Sequence, residues 1–182
     1  MTFDKILDDG RLWAVQYEDC PTNALQMAFD QWEDLLWLRK FFSENIDDLG
    51  SYFKITDINQ AIFDTLADRE RLQCLILDIS PDANLDRLFR PLHNSRTHEM
   101  LLGLEKARLK NTTNHASWLR IYAIKLEPGI FIVTGGAIKL TANMQEREHT
   151  LKELYRMEKV RQYLLSENVI DADGFNEMIN EQ

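Results

Sequence analysis

Arg120, Lys139, Arg147 and His149 lie within thirty residues of one another and offer the groups that break a phosphodiester without a metal. A guanidinium or ammonium held against the scissile phosphate stabilises the charge that builds there. An imidazole, with a reference pKa of about 6.5, can take the proton from a ribose 2′-hydroxyl near neutrality. In this reading Arg120 holds the phosphate, and Lys139 contacts phosphate or protonates the leaving oxygen. Arg147 and His149, in the loop MQEREHT ahead of a helix N-terminus, lie where the helix dipole favours an anion. Each also has an ordinary alternative. Arg120 could bridge to a carboxylate on a neighbouring element, Lys139 could be a strand-end lysine that discourages edge pairing, and His149 could be a surface residue.

Charge is segregated along the chain. The 182 residues carry a formal net charge of −9. Residues 1–83 hold 7 basic against 17 acidic residues, residues 84–163 hold 14 against 8, and residues 164–182 hold none against 5. The pattern predicts an acidic, mainly helical N-terminal part, a basic working segment and an acidic C-terminal tail within a single domain. The acidic helices could shield the basic surface. No apolar run approaches the roughly 18–20 residues that cross a bilayer, and the N-terminus lacks an apolar leader core. Cys20 and Cys74 have no C-x-x-C partner and read as a reduced pair, which points to the cytoplasm.

The elements that must position the charged groups follow from periodicity. Residues 6–17 predict a short strand or hairpin around Asp8-Asp9-Gly10. Thr22 or Asn23 caps one long helix through NALQMAFDQWEDLLWLRKFF, and Thr56 or Asp57 caps a second. Ser80-Pro81 predicts a short third helix over DANLDRLF. The segment 99–111 fits a strand or a helix equally. Residues 117–126 and 130–140 alternate as two strands around Glu127-Pro128-Gly129, placing Trp118, Arg120, Tyr122, Ile124 and Leu126 on one face and Lys125 on the other. Gly135-Gly136 calls for a bulge or a close backbone approach. Thr150 and Glu153 form a capping box for the next helix, and Asp173 caps a last one. The fold class is α+β, with an N-terminal hairpin and two long helices packed on a small antiparallel sheet and a C-terminal helix after it. The tryptophans at 13, 32, 37 and 118 read as core or interface anchors, with a homodimer on the Trp32/Trp37 helix as one possibility.

Within this order the hairpin resembles the RelE/HigB-like toxins of bacterial toxin–antitoxin systems. The matching pieces are Leu119-Arg120, the Glu127-Pro128-Gly129 turn and GGAIKLT from Gly135 to Thr141. The chain departs from the motif at Ala137, where the family has an aromatic, at Leu140, where it has a second lysine, and at Gly135, where it has a histidine. Tyr122 stands displaced from the family's tyrosine, and the chain is nearly twice a typical member's length. The resemblance covers about residues 85–165. It implies a ribosome-dependent, metal-independent mRNA endonuclease with no cofactor, a small antitoxin as partner, and Arg120 and Lys139 in the site. Tyr122, Lys106, Arg108 and Lys110 are the candidate RNA contacts.

A non-catalytic module that binds protein or nucleic acid is the competing reading. His93 and His98 are five apart, off the i, i+4 spacing of a helical metal pair, and Asp171-Ala172-Asp173-Gly174 fails as a calcium loop at its first and twelfth positions. No metal is expected.

Overall fold

In the computed structural model, which describes every residue except 81, 93–100, 111–114 and 182, two hairpins supply most of the sheet. β1 (Thr2–Lys5) and β2 (Leu12–Gln16) form the first, with Gly10 at φ +79° in the turn. β5 (Leu119–Glu127) and β6 (Ile130–Ile138) form the second around Gly129 at φ +83°, where a side chain would be strained. β3 (Phe89–Pro91) and β4 (Gly103–Ala107) complete six strands in the order β1-β2-β6-β5-β4-β3. The α+β class is as expected, but the sheet is larger than expected and mixed, because β2 pairs parallel with β6. Alternation specifies which residues face the core, not which distant strand is the partner. The open segment at 99–111 is a strand over its described middle, and the third helix shrinks to one 3₁₀ turn, Leu85–Arg87.

Helices cover both faces. On one side lie α1 (Ala24–Glu33), α2 (Leu35–Glu44) and α4 (Ile58–Ile76), packed through Phe29, Trp32, Phe42 and Leu72 against Leu119, Ile121 and Val133. Asn23 caps α1 and Asp57 caps α4. The single long helix expected over residues 24–42 is broken, because the Asp34 carboxylate accepts from the N–H groups of Leu36 and Trp37 and starts a new helix. A short α3 (Ile46–Asp48) runs into a π-helical turn, Leu49–Phe53. On the other side lie α5 (Glu148–Ser166) and α6 (Ala172–Glu181). Val160, Leu164, Phe175 and Met178 pack there on Phe3, Trp13, Ile124 and Ile132, so the acidic tail is part of the core. Its cap is Asp171, which accepts from the Gly174 N–H, rather than Asp173. Trp118 precedes β5 and packs into the α1/α2/α4 layer, off the face of Arg120. Trp32 is fully buried in that layer, which removes it from any dimer surface.

The two glycines of β6 answer both needs read from the sequence. The register slips between Tyr122 and Ala123, which face Gly135 and Val133, leaving Thr134 as the extra residue. A Cβ on Gly136 would sit 2.8 Å from Ala28 Cβ. One on Gly135 would meet Glu153 Oε2 at 1.8 Å. The Glu153 expected in a capping box therefore lies buried on the sheet, bonded by Arg156 Nη1 at 2.7 Å, while the capping box forms at Asn143 and Glu146. Gly135→Ala lowers stability by about 1–3 kcal/mol in chemical unfolding. The loss shrinks in a Glu153→Ala background, whereas equal losses in both would refute the contact.

A second buried carboxylate, Glu105 in β4, is pushed from 4.5 to about 7, chiefly by burial, with Lys125 opposing. A raised acid pKa means that the folded chain holds the proton more tightly. Its contribution is complete below about 4.5 and is lost as pH rises through about 7. Thermal unfolding should show Glu105→Gln matching the parent at about pH 4.5 and exceeding it at about pH 8.

Candidate functional site

Four neighbouring strands, β3 to β6, bring the basic segment together. Alternate residues of a strand share a face. Arg90 of β3 stands opposite Lys106 of β4, Lys106 opposite Tyr122 of β5, and Tyr122 opposite Gly135 of β6. Arg120 lies one step along the same face, opposite Ala137. A cleft of about 520 Å3 opens over this face. Tyr122 and Arg120 line it together with Arg90, Lys106, Arg108, Lys110 and Lys139, and Met144 and Leu154 close one wall. Six cations thus meet, and among the described residues no carboxylate lines the cleft. No described residue of the acidic segment 1–83 lines the cleft, so the expected shielding is not seen among the described residues.

Main-chain carbonyls, not carboxylates, hold these groups among the described residues. Arg120 is 8% exposed, and its Nη1 donates to the carbonyls of Ser117 at 2.6 Å and Leu119 at 2.7 Å. The expected carboxylate bridge to Arg120 is not formed by any described residue. Lys139 Nζ donates to the carbonyls of Thr141 and Ala142, and Lys106 Nζ to that of Leu92. Arg90 Nη1 donates to the Asp86 carbonyl. Burial lowers Arg120 to about 10, and the Arg108 charge adds to the effect. Burial also lowers Lys106 and Lys139, helped in both by the Arg120 charge. The Tyr122 hydroxyl is buried without a partner among the described residues, and burial raises it above the ordinary phenol value. Desolvated like charges with incomplete pairing favour any ligand that carries negative charge.

Two expected members are elsewhere. Arg147 forms a two-pronged bridge to Asp48, 2.6 Å from each carboxylate oxygen and 99 residues away in sequence. His149 packs edge-on against Phe41, with Nε2 2.8 Å from the Ile138 carbonyl. It lines a separate cavity of about 250 Å3 with Tyr17, Trp37, Gly135, Glu153 and Arg156. His149, Lys152, Glu153 and Arg156 recur at helical spacing on one side of α5, while Leu154 faces the cationic cleft. Lys125, expected to be solvated, pairs with Asp86 at 2.8 Å. Arg90 was missed because β3 is only three residues long and carries no alternation to read. His93, His98 and Pro81 lie outside the described residues. Among the described residues no group of three or more His, Cys, Asp and Glu side chains could hold a metal, both cysteines are free, and no helix is long and apolar enough to cross a membrane. No family model matches the chain, and no curated protein or solved structure matches it.

An anion should therefore stabilise this fold. Phosphate should raise Tm more than chloride of equal ionic strength, following RT ln(1 + [L]/Kd), about 2.7 kcal/mol at one hundred times Kd. Lys106→Gln and Lys139→Gln should each reduce that increment. Equal responses to both salts in all three proteins would contradict an anion site.

Proposed function

We propose that the cleft binds the sugar-phosphate backbone of RNA and that the protein is a RelE/HigB-like, metal-independent endonuclease of ribosome-bound mRNA. The reading is supported above all by one observation, the meeting of six cations in a cleft that no carboxylate lines among the described residues. The Nε and Nη2 hydrogens of Arg120 have no acceptor among the described residues and suit a phosphate's non-bridging oxygens. The substrate's 2′-oxygen attacks phosphorus and the bond to the 5′-oxygen breaks, giving a 2′,3′-cyclic phosphate and a 5′-hydroxyl. An amine lowered by burial and neighbouring charge can take the 2′ proton, and an ammonium can return one to the leaving oxygen. Lys106 and Lys139 fill these roles in place of His149. In this reading the protein works in the cytoplasm and is neutralised by a small protein partner.

The second reading, a non-catalytic binding module, is favoured by a specific observation: Arg147 and His149 both stand outside the cleft. Ribosomes carrying a defined mRNA separate the two. The nuclease reading predicts primer-extension stops in the mRNA that disappear in Arg120→Ala and Lys139→Ala. Retention of RNA should weaken with salt by a slope of about −0.7 per phosphate contact in log–log terms, and each variant should lose about one contact. Salt-dependent binding with intact mRNA leaves the binding module. Neither binding nor cleavage removes both.

A further inference from the structure

We infer that the same cleft is an acylation site, in which Lys106 and Lys139 take an acyl group from acyl phosphates held by Arg120 and Arg108. The inference rests on the anion-binding part of the proposal above and adds a reaction and a means of regulation.

The geometry supplies both halves of the donor's recognition. An acyl phosphate carries a doubly charged phosphate one bond from an electrophilic carbonyl. The cleft lines up guanidinium groups for the first and amines for the second within about 520 Å3. Arg120 is fixed by the carbonyls of Ser117 and Leu119, and its remaining N–H groups are unengaged by any described residue. Arg108, exposed at the rim, completes a two-sided hold on phosphate. Lys139 Nζ donates to the carbonyls of Thr141 at 2.7 Å and Ala142 at 2.5 Å. These two bonds use both hydrogens of a neutral amine and leave its lone pair free. Lys106 Nζ is tied among the described residues to the Leu92 carbonyl, at 2.8 Å. Burial and the Arg120 charge lower both amines, which raises the share of each that is neutral and nucleophilic.

The step balances without a further reactant. The neutral Nζ attacks the acyl carbonyl, the bond from that carbon to the phosphate oxygen breaks, and an amide forms. Inorganic phosphate leaves with the bonding pair, and the amine's surplus proton passes to phosphate or solvent. The product has one cation fewer, and in the RNA reading that weakens the hold on the backbone. A cell rich in acyl phosphates would thereby quieten the site.

The test uses the full chain and isotope-labelled acetyl phosphate, with peptide mass spectrometry timing each lysine. Lys40, an exposed lysine 3.9 Å from Glu44, is the reference. Lys106 and Lys139 should label several-fold faster than Lys40, and millimolar inorganic phosphate should slow them but not Lys40. Arg108→Ala, a change at an exposed side chain, should shrink the preference. With an acetyl N-hydroxysuccinimide ester, which has no phosphate to be held, Lys40 should label first. Labelling of Lys106 and Lys139 at the Lys40 rate, or indifference to phosphate, overturns the inference. RNA retention measured in parallel separates the two proposals. Fast labelling without RNA binding leaves the acylation site and removes the RNA reading. RNA binding with uniform labelling does the reverse.

Discussion

Like charge gathered away from water, with no carboxylate bonded to it among the described residues, is the condition on which the rest of this molecule turns. Arg120 is nearly buried, Lys106 and Lys139 are half-buried beside it, and each is held only by carbonyl dipoles among the described residues. Hydrogen bonds from a charged donor contribute about 1.5–3 kcal/mol each, whereas taking an ion out of water costs several. The arrangement is therefore unfavourable by itself and is sustained by the fold around it. A ligand that brings negative charge relieves both the desolvation and the mutual repulsion, which is why the cleft is read as a site and not as a surface.

The surrounding structure does the sustaining. β4, β5 and β6 are hydrogen-bonded in a register that stacks Lys106, Tyr122 and Gly135 side by side. The bulge at Thr134 and the absence of side chains at Gly135 and Gly136 let α1 and α5 approach β6 from opposite faces. The Arg147–Asp48 bridge ties the turn at Met144–Glu146 to the end of α3, and that turn supplies one wall of the cleft. Arg147 thus belongs to the support of the site and not to its lining. The aromatic cluster of Trp118, Phe42, Phe53 and His115 braces the strand just ahead of Arg120.

Much of this was readable in the residues, and what was not has identifiable causes. Alternation in the second hairpin placed Arg120 and Tyr122 on one face, and the Pro-Gly turn located both strands. Lys106, Arg108 and Lys110 alternate as well, but a short apolar segment fits helix and strand periods equally, so their shared face waited on β4. The break at Asp34 was hidden because Asp30, Glu33 and Asp34 form a plausible polar face for an unbroken helix. His149 and Glu153 sit in a polar-looking stretch, and only contacts with Phe41, Ile138 and Gly135 reveal that they turn inward. Arg147 finds its partner 99 residues away, a distance that periodicity cannot span. Local pattern assigns faces; it does not assign distant partners.

The central claim, that these buried cations await a polynucleotide phosphate, is tested most directly by nuclear magnetic resonance with a single-stranded 2′-O-methyl oligonucleotide. That ligand keeps the phosphates and removes the attacking hydroxyl. Titration should move the Arg120 Nε–H resonance and the ε-methylene signals of Lys106 and Lys139 together, with one shared affinity. Signals that stay still at these three positions while those of Lys152 and Arg156 move, or that do not move at all, would contradict the account.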